Sequence, residues 1–342
     1  MHEKPNYEKM PKMGKSKNIA RAFAIMVVSP VIALKNISKG RGRTKKVGYN
    51  MLDYTLLYSQ RVTPEMLKFV KLLIDENVKL TKEHAFYTKV KIFSDVNSGL
   101  PELLIKHQII SPNEVFWIGK EGYTPLSRLT RVYQDAFVGN DKSWQEHFYR
   151  RAKAWIKLGA DPLKDPDPYS GKSALDIAVW GKSLEMTQFF LNQLTPKQIK
   201  TSNNRALLTA CKTGNLELVK LLTQKGFPWK LEKEKDGYEY TALHTLLAKE
   251  ANREMRKFRL KALQYFLAKG MDINIKMHAS YYTVTPLEWM IETGNDDRKT
   301  IRFLLDNGAK VSGAIWRAKY KRKRGYDVSR RLIRMLESYE KK

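Results

Sequence analysis

Gly-Lys-Ser, the tripeptide that ends a phosphate-binding loop, occurs three times, at Gly14, Gly171 and Gly181. Such a loop wraps a phosphate in backbone N–H groups and needs a further glycine five residues upstream. Lys9, Pro166 and Asp176 stand there instead, so no nucleotide chemistry is expected. The six histidines, at 2, 84, 107, 147, 244 and 278, have no cysteine or carboxylate at metal-ligand spacing. A single cysteine, Cys211, excludes internal disulfides and a Cys-based zinc site, and it suits a reducing compartment. No nucleophile can be paired with a base by spacing. The expectation is a protein with no catalytic residues, no metal and no cofactor.

Binding chemistry remains. The chain carries 63 Lys and Arg against 35 Asp and Glu, a formal +28 on 342 residues, unevenly placed. Residues 1–48 hold twelve Lys and Arg against two Glu, and residues 314–342 hold eleven against three acids. Charge of this size does not serve folding and points to acidic partners: an acidic protein, nucleic acid or an anionic surface.

Any such residues must be positioned by short helices. Arg205–Asn215 places Leu207, Leu208, Ala210 and Cys211 on one face and ends in Gly214-Asn215, a turn. Leu216–Leu222 follows with Leu218, Val219, Leu221 and Leu222 at helical spacing and Gly226 as a stop. One helix-turn-helix of this size cannot bury its own apolar face and needs copies beside it. Copies open at Gly122-Tyr123-Thr124-Pro125-Leu126, Ser173-Ala174-Leu175, Thr241-Ala242-Leu243-His244 and Thr285-Pro286-Leu287. They close at Leu158-Gly159-Ala160-Asp161, Lys269-Gly270-Met271-Asp272-Ile273-Asn274 and Asn307-Gly308-Ala309.

This ordered recurrence resembles the ankyrin-repeat family, whose pattern is Gly-x-Thr-Pro-Leu-His, Ala-Ala, a Gly turn, a Leu-rich second helix and Gly-Ala-Asp-x-Asn. Thr caps the first helix, Pro takes the first helical position and Leu points into the stack. The resemblance implies an all-α ankyrin-repeat solenoid of stacked helix-turn-helix units over 49–313, about seven units with the first two degenerate. A basic C-terminal capping helix is expected in 314–342, marked by Leu332, Ile333 and Leu336. His244 matches the family's cap-bracing histidine and reads as structural. The insert at 249–259 is helix-forming and is expected to lengthen a second helix.

Residues 1–48 form a basic, partly disordered segment. Within it Ala22–Leu34 is a short apolar stretch, read either as a targeting segment or as a repeat cap, and too short to span a membrane. Lys39–Lys46 resembles the Arg-Gly-Arg core of an AT-hook, but has Thr44 where that family continues with Pro; it reads as a solvated linker.

In proteins of this resemblance, partners dock on a concave face made by the first helices and the loops between repeats. Aligning the units on Thr-Pro-Leu puts Arg128, Ile177, Thr209, Thr245 and Trp289 at one outward position, and Arg131, Trp180, Lys212, Ala248 and Glu292 three residues on. Trp180 and Trp289 are expected to be exposed anchors, and Trp229, Tyr238, Tyr240, Tyr281 and Tyr282 extend the surface from the loops. The functional expectation is a non-enzymatic interaction module or adaptor, effector-like, that binds an acidic protein as a monomer. It would work in the cytoplasm or delivered into a host cell; the Lys321–Arg324 run leaves nuclear targeting open, and Ala22–Leu34 leaves secretion open. The alternative is a nucleic-acid-associated protein that holds phosphate through Arg41, Arg43, Lys45, Lys46 and Lys321, Arg322, Lys323, Arg324.

Overall fold

A computed structural model describes residues 62–77, 98–118, 120–166, 172–202, 205–229, 240–248, 252–279 and 282–340, with single residues 52, 55 and 56. Two compact units divide the chain. One takes the residues up to Leu129 with His147–Gly171; the other takes Thr130–Glu146 with Lys172–Lys342.

In the first unit, helix α1 (Pro64–Asp75) begins where Thr63 Oγ1 accepts the Met66 N–H at 3.2 Å and Pro64 fills the first turn. It buries Met66, Phe69, Val70 and Leu73, as its apolar spacing predicts. Helix α2 (Leu100–Lys106) packs against it. Strands β1 (Phe116–Ile118) and β2 (Glu121–Tyr123) form an antiparallel ribbon, leading into helix α3 (Pro125–Val138), which, like helix α4 (Lys142–Lys157), belongs partly to each unit. Asn113 ties its loop to the next: its Nδ2 donates to Gly159 O at 2.9 Å, and its Oδ1 accepts from Asp161 N at 2.7 Å.

The second unit is a regular stack. Its first helices are α5 (Ala174–Trp180), α8 (Arg205–Thr213), α10 (Ala242–Leu247), α12 (Pro286–Glu292) and α14 (Ser312–Lys323), and each packs on the next. Behind them lie α6 (Leu184–Leu191), α9 (Leu216–Gln224), α11 (Arg253–Ala268) and α13 (Arg298–Asp306), with the short α7 (Pro196–Lys200) between repeats. Helix α15 (Arg330–Glu340) folds back on α14. The helices start where capping residues stand. Ser173 with Asp176 and Thr285 with Glu288 form reciprocal capping boxes, and Thr241 Oγ1 accepts the His244 N–H. Leu175, Leu207, Leu218, Leu222 and Leu243 are fully buried between layers. Truncating any one of them would cost about 2–5 kcal/mol. This is the all-α stack of helix-turn-helix units that the repeats predict.

Three departures are instructive. The residues after Val311 form two helices where one was expected, because Ala314, Ile315 and Ala318 bury against α12 and make α14 a further first helix. The longer loops pair as ribbons, β1–β2 and, between α11 and α12, β3 (Met277–Ala279) with β4 (Tyr282–Val284). The Gly-Lys-Ser at 181–183 is a repeat turn. Gly214 and Gly294 take φ +74 at the positions where this repeat has Lys182, itself at φ +57. Its glycine stands one residue earlier because a Cβ on Gly181 would lie 2.7 Å from Gln134. Ser183 caps α6, and Ser173 of the upstream Gly-Lys-Ser caps α5. As expected, α11 is long, running sixteen residues from Arg253.

Candidate protein-binding face

The row at the ends of the first helices is the outward one. Arg131, Trp180 and Lys212 are exposed, while Ala248 and Glu292 are half-buried. Trp180 is 48% exposed, and the Lys172 ammonium lies 3.9 Å from its ring centroid. A cation–π contact at an exposed site is worth about 0.5–1 kcal/mol and favours this orientation of the indole. Arg131 Nη1 donates to Gln134 Oε1 at 2.8 Å, and Gln134 rests on Gly181, the neighbour of Trp180. The guanidinium and the indole are thereby fixed on one patch. At the far end of the row, Glu292 is occupied by Arg317, 3.4 Å away.

The position three residues earlier is not outward. Ile177 is 4% exposed and Trp289 is half-buried; among the described residues neither its buried indole N–H nor the buried Thr245 Oγ1 has a hydrogen-bond partner. The expectation of an exposed Trp289 is thus corrected: this position faces the adjoining helices, as the aliphatic Ile177 requires. In the first unit Arg128 is half-buried, with its guanidinium 5.5 Å from the Tyr123 ring. Trp229 and Tyr240 are half-buried beside the α10 entry, where Ala242 N donates to Trp229 O. Tyr282 is exposed on β4 beneath Arg317. Tyr238, Tyr281, Arg41, Arg43, Lys45 and Lys46 lie outside the described residues.

The basic run at the end of α14 is not a uniform phosphate strip. Lys321 donates to Glu292 O and Arg322 to Val328 O, whereas Lys323 is exposed and Arg324 donates to Tyr320 Oη at 3.1 Å. Sequence reasoning missed Trp316, Tyr320 and Tyr326 beside that run, and Trp117 and Trp144, all exposed. The Trp316-to-Tyr320 spacing of one helical turn was the available signal.

Buried polar groups join the repeat of α10 and α11 to that of α12 and α13. His244 is fully buried: Nε2–H donates to Val284 O at 3.0 Å, which leaves Nδ1 to accept from Thr241 Oγ1 at 2.6 Å. Burial, against hydrogen bonding to the Val284 and Thr285 backbone, drops its pKa to about 4. Arg259 lies 3.6 Å from Asp297, both buried, and donates to Leu246 O at 3.0 Å; Asn295 Nδ2 donates to Leu247 O at 2.9 Å. Burial pushes the Cys211 thiol up to about 12, so it carries no thiolate at neutral pH. Among the described residues no group of His, Cys, Asp and Glu could hold a metal ion, and no helix is long and apolar enough to cross a membrane.

The family model described as ankyrin repeats (3 copies) matches residues 175–277 and 207–313. No curated protein matches the chain.

Proposed function

The chain is an ankyrin-repeat protein across residues 175–313, and on that premise we propose a non-enzymatic interaction module that grips an acidic protein on the row of Arg131, Trp180 and Lys212. Ankyrin repeats are in general protein–protein interaction modules. The observation that carries the reading is Trp180: a half-exposed indole, clamped by Lys172, standing between two exposed cations on consecutive repeats. Trp and Arg dominate binding energy at interfaces, and packing within the stack needs neither here. The formal +28 selects for acidic partners. This chemistry suits an adaptor or an effector-like protein that acts by occupying its partner.

The test is capture on the intact protein from nuclease-treated and untreated lysate, followed by titration of the captured protein against wild type and two variants. Nuclease should leave capture unchanged, and Trp180→Ala should weaken the complex by about 2 kcal/mol. Lys212→Glu should chiefly slow association and flatten its salt dependence. Capture that vanishes with nuclease, or a Trp180→Ala protein that binds as wild type does, overturns the reading.

A further inference from the structure

Helix α14 presents a second surface of different chemistry. Trp316 and Tyr326 are each 62% exposed and Tyr320 is 44% exposed. Trp316 and Tyr320 lie one turn apart and stack in parallel, centroids 5.3 Å apart and planes 9° apart. Arg324, one turn further, sits over Tyr320 at 5.4 Å; Arg317 lies 6.0 Å from Trp316, and Lys321 lies 5.0 Å from Tyr326. The ladder of plates begins at Trp316, because one turn before it stands Ser312, exposed and too short to cover an indole.

We propose that this surface binds single-stranded nucleic acid, a base stacking on Trp316 in continuation of the Trp316–Tyr320 ladder while the exposed Lys323 and Arg324 hold phosphates of neighbouring nucleotides. Parallel plates with cations beside them supply the two contacts a single strand needs, a π-face for the base and a counter-charge for the backbone. A duplex keeps its bases inside its own stack and cannot use the plate. Residues 314–342 carry eleven Lys and Arg against three acids, so the surroundings match a polyanion. A membrane surface takes up a helix face that joins aromatic to aliphatic side chains such as Leu, but here the aliphatic Ala314, Ile315 and Ala318 are buried against the stack. The aromatics are what remains exposed. The site is separate from the Trp180 row, and neither reading depends on the other.

The experiment uses the full-length protein and four probes: a fluorescein-labelled single-stranded oligothymidylate, the same strand in duplex with oligoadenylate, polyglutamate, and phosphatidylserine vesicles. Fluorescence polarisation reads the oligonucleotides directly, and the other two probes compete. The single strand should bind more tightly than the duplex. Trp316→Ala should weaken the single strand about tenfold and leave the duplex within about twofold, the loss expected of one stacked base. Trp180→Ala should bind oligothymidylate as wild type does. A thermal melt of Trp316→Ala should match wild type, since the ring is outside the core; if it does not, Trp316→Tyr, which keeps a π-face, should restore the affinity that Ala loses. Equal affinity for single strand and duplex, or Trp316→Ala binding unchanged, refutes the stacking platform. Polyglutamate competing as well as unlabelled oligothymidylate assigns the surface to acidic protein, and vesicles doing so assign it to membranes; either outcome overturns the proposal.

Discussion

His244 makes the array acid-sensitive by a calculable amount. Folded, its ring takes a proton only near pH 4, against 6.5 for an ordinary histidine. As pH falls below 6.5 the unfolded chain binds that proton and the folded one does not, so stability drops through this window and the contribution is lost below it. Two and a half decades of proton affinity correspond to about 3 kcal/mol, at about 1.4 kcal/mol per pH unit inside the window. Asp176 acts with opposite sign, since burial raises its carboxyl and costs stability as pH rises. The comparison must therefore be with His244→Gln, a neutral side chain that retains a donor. Urea unfolding of both proteins, followed by circular dichroism from about pH 7 to about pH 4.5, isolates the ring. His244→Gln should be less stable near neutrality by about 1–2 kcal/mol, and the gap should close and then reverse as pH falls, since wild type loses about 2 kcal/mol or more across this range. A gap that stays constant across the range would show that the ring is not held neutral, and the argument from its burial would fail.

Lys182 occupies a left-handed turn that its sister repeats give to glycine, φ +57 against φ +74; Lys182→Gly should stabilise by up to about 1 kcal/mol in the same assay, and a loss would refute the strain. A Cβ on Gly313 would fall 1.8 Å from Glu288 Oε1, the carboxylate that closes the α12 capping box. Gly313→Ala should cost about 1 kcal/mol through that cap, and should become nearly neutral in a Glu288→Ala background. Asp297→Ala removes the carboxylate 3.6 Å from the buried Arg259 and uncaps α13. It should cost about 3 kcal/mol or more, whereas the double variant Arg259→Met with Asp297→Asn, which removes both charges and keeps a cap at 297, should cost less than Asp297→Ala alone.

The repeats were legible because each signal has a local cause. Thr285 caps, Pro286 fits the first turn and Gly294 turns left, so a few residues announce a unit without reference to the rest of the chain. Trp180 was legible for the same reason, since the residue before the turn lies at a helix end. Trp289 was misplaced because a position shared with Ile177 was treated as surface. Helix α14 escaped because it buries small residues, Ala314 and Ala318, and exposes large aromatics, so it shows no apolar stripe to read. In the sequence the Lys321–Arg324 run is one block of charge, but a helix sends successive side chains in different directions, and two of the four serve carbonyl groups.

The polar ties gathered between residues 242–268 and 286–306 bear on how the molecule comes apart. His244 reaches Val284, Asn295 reaches Leu247, and Arg259 meets Asp297 across the same joint. A linear array unfolds as a string of neighbours, each boundary contributing its own term. The boundaries of α5 with α8 and of α8 with α10 bury Leu175, Leu207, Leu208 and Leu243, which are indifferent to protons, but this one holds a titrating ring. Mild acid thus acts as a selective solvent for one seam, releasing α12 to α15 as a cooperative block while the Leu-rich repeats before it keep their amide protons protected.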